Sequence, residues 1–196
     1  NIDVNAFHES TQGAALHIIA VAKHHPEHCD IAELLISRGA LVDLPSDKGA
    51  TPCMLASVYG HDRLVKLLLD NNADPNIKAN NGTTPLISAC GSGKIGDKSN
   101  HKIVKLLLQA GAMVDERCEN DSALYLACKR GDEKSVKLLL DHKADVNGCV
   151  TIGSPGRTPL LRATRNSNVS IMKLLVSFKA DVNLADKRGI TPLIMA

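Results

Sequence analysis

Two patterns of hydrophobic and polar positions alternate along the whole chain. The first pattern begins with a hydroxyl or small residue and runs into a short apolar stretch, with copies starting at residues 14, 51, 84, 122, 158 and 191. The second is an apolar stripe close to V-K-L-L-L, at 31–36, 64–69, 103–108, 135–140 and 171–176. Apolar residues at this spacing predict amphipathic helices that bury one face. The chain is therefore predicted to form pairs of short helices.

The first pattern returns at nearly constant intervals. Its six starts are separated by 37, 33, 38, 36 and 33 residues. A period in the thirties with two helices per unit is typical of a solenoid, in which each unit packs only on its neighbours. The extra residues in the longer intervals are expected in connections, where insertions cost little entropy. A solenoid presents a long surface, which favours a binding function over catalysis in a deep pocket.

The residues of the first pattern resemble the motif of a known family. The pattern reads T-P-L at Thr84–Leu86, Thr158–Leu160 and Thr191–Leu193, and T-P at Thr51–Pro52. With the period of 33, this resembles the ankyrin repeat. The resemblance implies an all-α ankyrin-repeat solenoid, made of stacked helix-turn-helix repeats with β-hairpin connections.

The same resemblance divides the chain into repeats within one domain, residues 1–196. Residues 1–9 are predicted to end a preceding repeat and residues 186–196 to begin a truncated sixth one. Five complete repeats are predicted between them, at 10–45, 46–78, 79–117, 118–152 and 153–185. We expect this stretch to be monomeric, to expose apolar ends, and to continue into further repeats or caps in a larger protein.

Residues 47–78 illustrate how the sequence specifies one repeat. Thr51 is a suitable N-cap and Pro52 fits the first helical position. Gly60 is expected to end the first helix and Asn72 the second, because both residues tolerate positive φ. Lys143 and Lys179 stand where other repeats have a helix-ending glycine, and a left-handed lysine costs about 1 kcal/mol. Only His17 keeps the histidine of the family's T-P-L-H, so apolar packing is predicted in the other repeats.

Composition narrows the function further. The net charge of +2 and the 2% of aromatic residues argue against nucleic acid as a partner. No apolar run approaches the ~20 residues that span a bilayer, so no membrane insertion is expected. The six cysteines show no disulfide or C-x-x-C spacing, which predicts free thiols in the cytoplasm, with the nucleus as an alternative. Cys53, Cys90 and Cys128 are expected to be buried.

Two motifs offer chemistry that their context does not support. Residues 91–96 read G-x-G-x-x-G, but a dinucleotide site needs a strand before this motif, and here a helix is predicted. His24, His25, His28 and Cys29 are good zinc ligands by type, but Pro26 breaks the helix that would align them. We therefore predict no cofactor, no metal and no enzymatic activity.

The family resemblance implies that partners meet the hairpin tips and the exposed side of the first helices, which together form a concave face. The N-terminal half of this face is predicted to be neutral and small, with Tyr59 as a candidate anchor. The C-terminal half gathers basic residues, which favours a protein partner with an acidic segment. The candidate partner-binding residues are Tyr59, Lys129, Arg130, Arg157, Arg162, Arg165, Lys187 and Arg188. Nucleotide or nucleic-acid binding by the basic half, and a passive spacer role, remain alternatives.

Four asparagines share one position in the hairpin connections, namely Asn5, Asn76, Asn147 and Asn183. The resemblance implies that this position is a substrate of a cytosolic asparaginyl hydroxylase. Closure of the local turn by the asparagine side chain is a sufficient structural reason for its presence.

Overall fold

A computed structural model describes residues 3–6, 14–23, 27–92, 100–118, 121–148, 158–186 and 188–196. Within these ranges, helices alternate between two rows. The inner row contains the helices that follow the first sequence pattern: α1 (Ala15–Val21), α3 (Pro52–Tyr59), α5 (Pro85–Gly91), α7 (Ala123–Arg130), α9 (Pro159–Arg165) and α11 (Pro192–Met195). The outer row contains α2 (His28–Ser37), α4 (Asp62–Asp70), α6 (Asn100–Gln109), α8 (Glu133–Asp141) and α10 (Val169–Ser177).

Each row is a stack of helices in chain order. Every inner helix packs on the next inner helix, from α1 to α11, and every outer helix packs on the next, from α2 to α10. Inner and outer helices of one repeat also pack on each other, as α3 does on α4. Two short strands, β1 (Arg117–Cys118) and β2 (Asp121–Ser122), pair antiparallel with Arg117 opposite Ser122. The predicted all-α solenoid is confirmed, whereas the exact repeat boundaries stay predictions.

The inner helices begin as the sequence predicts. The Oγ1 of Thr51 accepts a hydrogen bond from the backbone N of Met54 at 3.3 Å, and Pro52 occupies the first turn. Such a cap satisfies one of the N–H groups that the first helical turn leaves without a partner. The same bond recurs at the other hydroxyl caps, Thr84, Ser122, Thr158 and Thr191.

Helix ends use left-handed residues, as predicted. Gly60 closes α3 with φ 79°, and Asn72 follows α4 with φ 65°. Lys143 and Lys179 also have positive φ, 65° and 66°, although both carry a Cβ. These two repeats therefore accept a backbone conformation that glycine would adopt without a steric cost.

One hydrophobic core runs through the whole stack. Leu68, Leu107, Leu139 and Leu175 hold the same position in successive outer helices, and all are fully buried. Alanines at one inner-helix position, Ala56, Ala89, Ala127 and Ala163, are also fully buried, and their small side chains let neighbouring helices approach closely. His17 is buried and accepts a hydrogen bond from the backbone N of Ala14 at its Nδ1 (3.2 Å), and burial lowers the pKa of its imidazole. The predicted apolar packing replaces it at Met54, Ile87, Tyr125 and Leu161, which are buried, but not at Ile194, which is 65% exposed in the last helix.

The hairpin asparagines differ from the expectation that they close their own turns. An aspartate two residues earlier does this, since Asp74 Oδ1 accepts from the backbone N of Asn76 at 2.8 Å. The Asn76 side chain instead reaches the next repeat, where Nδ2 donates to the Gly111 carbonyl (3.1 Å) and Oδ1 accepts from the Met113 N (2.7 Å). Asn5 makes the same pair of bonds to Gly39 and Leu41. These side chains therefore join successive repeats.

Candidate functional site

One side of the inner helices forms a strip of equivalent positions that is exposed at Ile18, Val21, Gly91, Lys129 and Arg165 and buried at Ser88 and Leu126. Counting from each N-cap, the fourth and seventh residues lie one turn apart and share a helix face. We call the row of these positions the inner-helix strip. In chain order it contains Ile18 and Val21, Leu55 and Val58, Ser88 and Gly91, Leu126 and Lys129, and Arg162 and Arg165. Because the inner helices stack in order, equivalent positions lie side by side.

The C-terminal end of the strip is basic. Lys129 and Arg165 are exposed, and Arg162 is half-buried one turn before Arg165. Among the described residues, no ion pair includes any of these three side chains. The Nε of Arg162 is buried and has no hydrogen-bond acceptor within the described ranges. Segment 149–157 precedes α9, lies outside these ranges, and contains no Asp or Glu.

The backbone fixes the two basic helices relative to each other. Asn166, which follows α9, donates from Nδ2 to the Lys129 carbonyl oxygen at 2.9 Å. The nearest acidic residue after α7, Asp132, is engaged in capping α8, because its Oδ1 accepts from the Ser135 backbone N and its Oδ2 from the Ser135 hydroxyl. The positive charges of Lys129 and Arg165 are therefore held on one face without a carboxylate partner in the described structure.

Arg130 does not belong to the exposed basic surface, which corrects the sequence prediction. Its side chain is only 7% exposed. It lies near the preceding repeat, because its charge acts on the buried Cys90 thiol and opposes the rise in pKa that burial causes there. The adjacent Lys129 points to solvent, as the next position on a helix turns by about 100°. Arg130 is thus a packing residue of α7.

Tyr59 is exposed, as its candidate role requires, with 55% of its surface accessible. Its ring stacks on that of His61, with centroids 6.4 Å apart and planes 16° from parallel. His61 is itself fixed, because its Nε2 donates to the Ala22 carbonyl oxygen of the preceding repeat at 3.0 Å. The phenol is therefore presented from a buried support rather than from a loose loop.

The N-terminal half of the strip is apolar, where the sequence prediction expected only neutral and small residues. Ile18 and Val21 of α1 are 41% and 42% exposed. Small residues, Ser88 and Gly91, are confined to the third repeat. Alignment of each repeat on its N-cap would have found Ile18 and Val21, since both hold the same positions as Arg162 and Arg165.

The hairpin tips are partly ordered by contacts between repeats. Asn80 donates from its backbone N to the Lys48 carbonyl (3.0 Å) and from Nδ2 to the Asp47 carbonyl (3.1 Å). At the last tip, Arg188 Nε donates to Asp186 Oδ2 at 3.3 Å, so its charge is locally compensated. The pKa of Asp186 is held below its usual value, mainly by a hydrogen bond from the backbone N of Ile190 and also by one from the backbone N of Arg188. Arg157 and Lys187 lie outside the described residues.

The two chemical motifs of the sequence fall partly outside the described structure. Gly91 ends helix α5 and Ser92 follows it, so helix rather than strand precedes the G-x-G-x-x-G stretch, of which residues 93–96 are not described. His28 and Cys29 form the first turn of α2, whereas His24 and His25 are not described. Within the described ranges, no three His, Cys, Asp or Glu side chains are grouped to hold a metal, and no helix is long and apolar enough to cross a membrane.

Comparison with known proteins decides the family. A model described as "Ankyrin repeats (3 copies)" matches residues 2–79, 18–96 and 63–149, and one described as "Ankyrin repeats (many copies)" matches residues 124–176. The chain belongs to the ankyrin-repeat family. Ankyrin repeats are generally protein–protein interaction modules rather than enzymes.

Several curated ankyrin-repeat proteins resemble this array. An ankyrin repeat protein of fowlpox virus (strain NVSL) is 37% identical over 141 residues, covering 68% of this chain and 38% of the viral protein. The ankyrin repeat and KH domain-containing protein mask-1 of Caenorhabditis elegans is 34% identical over 149 residues, covering 74% of this chain and 5% of that protein. The neurogenic locus notch homolog protein 1 of Xenopus tropicalis is 29% identical over 164 residues, covering 82% of this chain and 6% of that protein. This ankyrin array thus spans a minor part of each relative.

Proposed function

We propose that this ankyrin array binds a partner protein through the inner-helix strip, the concave face of the family, and that its basic end receives an acidic segment of that partner. The observation that carries the proposal is the pair Arg162 and Arg165 on one face of α9, beside Lys129 of α7. None of the three has an ionic partner among the described residues. The hairpin tips border the same face and are proposed to widen the contact.

Arg162 has one buried N–H group that lacks an acceptor in the described ranges. A buried N–H without an acceptor is unfavourable, and a guanidinium is best satisfied by a planar carboxylate that takes two hydrogen bonds. The Nε of Arg162 is buried without an acceptor in the described ranges, while Arg165 adds an exposed positive charge one turn away. The buried Nε is not accessible to a partner, so an Asp or Glu of a partner would meet the accessible part of the Arg162 side chain and Arg165, and would supply the opposite charge. Long-range attraction between unlike charges would also speed association.

We further propose that the array serves as a scaffold module of a larger intracellular protein, in the cytoplasm or the nucleus. Its relatives support the first part, because the chain spans only 5% to 38% of their lengths. The location is supported by the cysteines, since Cys29, Cys53, Cys90, Cys118 and Cys128 are free thiols in the described structure.

A pull-down from lysate with two matched variants tests the proposal. The site variant is Arg162→Glu with Arg165→Glu, and the control is Lys134→Glu with Lys137→Glu, which reverses two exposed charges on the outer helix α8. Captured proteins are identified by mass spectrometry, and circular dichroism verifies that both variants are folded. We expect partners that are retained by the wild type and the control but lost by the site variant, and that carry acidic segments.

Other outcomes would replace the proposal. Equal capture by all three proteins would contradict binding at the basic end and favour the spacer role or contact through the tips. Recovery of nucleic acid with the wild type, with affinity that falls steeply as salt rises, would indicate nucleic-acid binding by the same basic residues.

A further inference from the structure

The inner-helix strip changes chemistry from one end to the other. Its N-terminal end exposes the apolar side chains of Ile18 and Val21. Tyr59, one residue beyond the strip in the second repeat, stacks on His61, whose Nε2 donates to the carbonyl of Ala22, the residue after Val21. The C-terminal end exposes Lys129 and Arg165, and Arg162 is half-buried one turn before Arg165. An apolar surface next to a basic one, on a single face, calls for a partner with two kinds of side chain in a fixed order.

Exposure of the seventh position is not confined to the first repeat, whereas Ile18 at the fourth position is more exposed than its buried equivalents Ser88 and Leu126. The seventh position after the N-cap is solvent-facing in the interior of the stack too, where Gly91 and Lys129 are exposed. In the second repeat Val58 at the seventh position is half-buried, and the next residue, Tyr59, is 55% exposed although its helix is packed on both sides. Leu16 and Ala20 of α1 are buried in the core, so this helix is already packed. Val21 therefore faces the same side as Arg165.

The middle of the strip is low and uncharged. Ser88 and Gly91 supply little side-chain volume there, and a Cβ at Gly91 would lie 3.2 Å from Cδ1 of Leu126. The Leu126 side chain thus occupies the space that a larger residue at position 91 would fill. A partner backbone can pass closely over such a floor, which connects the apolar end to the basic end without a barrier.

We propose that the inner-helix strip binds one extended segment of a partner protein, with apolar side chains at one end and carboxylates at the other. This inference rests on the proposed function and adds the apolar requirement to it. Stacked helices lie roughly 9 Å apart, so the four steps from α1 to α9 span about 36 Å. An extended segment covers that distance with about 11 residues. A helix of about 11 residues would span only about 16 Å.

The contacts divide between the two ends. The carboxylates pair with Arg162, Arg165 and Lys129, which have no ionic partner in the described structure. The apolar side chains cover Ile18, Val21 and the face of Tyr59, removing exposed apolar surface from water. The charges guide the encounter, and the apolar end selects among acidic segments, which by charge alone would be equivalent.

Synthetic peptides of twelve residues, labelled with fluorescein, provide the test by fluorescence polarisation. The bipartite probe carries leucines and a tyrosine at one end, serines and glycines in the middle and four glutamates at the other end, and is made in both directions. One comparison peptide has the same composition in shuffled order. Another, called the all-acidic peptide, keeps the four glutamates and replaces the apolar residues with serine. We expect one direction of the bipartite probe to bind at least about tenfold more tightly than both comparison peptides.

Variants assign that gain to the strip. Val21→Ser with Tyr59→Ala is expected to remove the advantage of the bipartite probe while leaving the affinity for the all-acidic peptide unchanged. Val169→Ser on the outer helix α10, where the side chain is 57% exposed, is the matched control and should change neither. Arg162→Glu with Arg165→Glu should weaken both peptides.

The outcomes separate this inference from the proposed function. If the all-acidic and bipartite peptides bind equally and both depend on Arg162 and Arg165, the apolar requirement is wrong and the acidic-segment function stands. If a shuffled peptide binds as well as the bipartite one, the fixed order is wrong. If no peptide binds in a manner that depends on these arginines, both proposals are overturned.

Discussion

The side chain of Asn76 donates a hydrogen bond from Nδ2 to the carbonyl oxygen of Gly111 at 3.1 Å and thereby joins two successive repeats. Its Oδ1 accepts from the backbone N of Met113 at 2.7 Å in the same connection. One amide thus satisfies a donor and an acceptor of the neighbouring repeat. In a solenoid, where stability depends on interfaces between neighbours, such a bridge affects the whole stack.

Replacement of Asn76 by alanine is expected to lower the free energy of unfolding by about 1–3 kcal/mol, because two hydrogen bonds between repeats are lost. Urea denaturation followed by circular dichroism measures the change. Asn183→Ala is the control, since Asn183 occupies the same hairpin position but makes no side-chain bond to a following repeat within the described residues. Equal losses in the two variants would show that the bridge between repeats is not the cause.

Asp43 occupies the bridging position between the first and second repeats with a carboxylate instead of an amide. Its Oδ2 accepts from the backbone N of Asp74 at 3.0 Å, but its Oδ1 is buried and has no partner in the described structure. Burial, and then the negative charge of Asp74, raise the pKa of the Asp43 carboxyl. An amide Nδ2 at the same place would be a donor, as it is in Asn5 and Asn76.

Asp43→Asn is therefore expected to stabilise the array, with a gain that depends on pH. Because the pKa of Asp43 is raised on folding, the wild type loses stability as pH rises from the unfolded pKa through the higher folded one. The asparagine variant lacks this loss, so the difference in melting temperature should be larger at pH 7 than at pH 4. Asp115→Asn, which makes the same exchange of carboxylate for amide at the equivalent but exposed position, is the matched control. A gain that is independent of pH would contradict the assignment to Asp43 ionisation.

The repeat pattern was sufficient to predict the fold, because each local signal recurs and the signals agree. Thr51 and Pro52 start a helix and Gly60 ends it, a hydroxyl N-cap recurs at Thr84, Ser122, Thr158 and Thr191, and a left-handed glycine recurs at Gly131. Side-chain burial at the position that follows the strip in each repeat was harder to predict. Tyr59, Arg130 and Asn166 hold the same position in three repeats, yet Tyr59 and Asn166 are exposed and Arg130 is covered. That difference depends on what packs on each side chain in the adjacent repeat, which a repeat pattern does not encode.

The hydrogen bonds of the bridging asparagines to the next repeat were also not predicted from the sequence. A sequence shows that Asn76 follows Asp74 by two residues, which is typical of a local turn. The turn is indeed closed by Asp74, and only the stacking of repeats brings Gly111, 35 residues later, to the asparagine. The repeat period alone indicates that a partner lies about one repeat later. Which backbone groups of that repeat face the asparagine is known only from the structure.

Replacement of lysine by glycine is expected to change the free energy of unfolding in opposite directions at two sites of one repeat, one left-handed and one helical. Lys143 has φ 65° after α8, so Lys143→Gly should raise the free energy of unfolding by up to about 1 kcal/mol. Lys137 is exposed within α8, so Lys137→Gly should lower it by about 1 kcal/mol. Both variants remove one positive charge, and their difference therefore reports backbone conformation alone. Thermal denaturation of the two variants side by side would contradict this explanation if both shift in the same direction.

The cysteines provide a measure of opening in the stack. Burial raises the pKa of Cys53 to about 12 and raises the pKa of Cys90 and Cys128 further, and all three thiols lie in the core. A thiolate is the reactive form, so these cysteines should resist an alkylating reagent at pH 8 until the array opens. Cys118 is half-buried in β1, where its Sγ donates to the Asn81 carbonyl at 3.1 Å, and should react before these three. Pulsed alkylation with peptide mass analysis resolves each site.

In Asn76→Ala, which weakens the interface between neighbouring repeats, Cys90 labelling should accelerate relative to the wild type while Cys118 remains fast in both. Unchanged protection of Cys90 in that variant would mean that the asparagine bridge does not control opening of the central repeats.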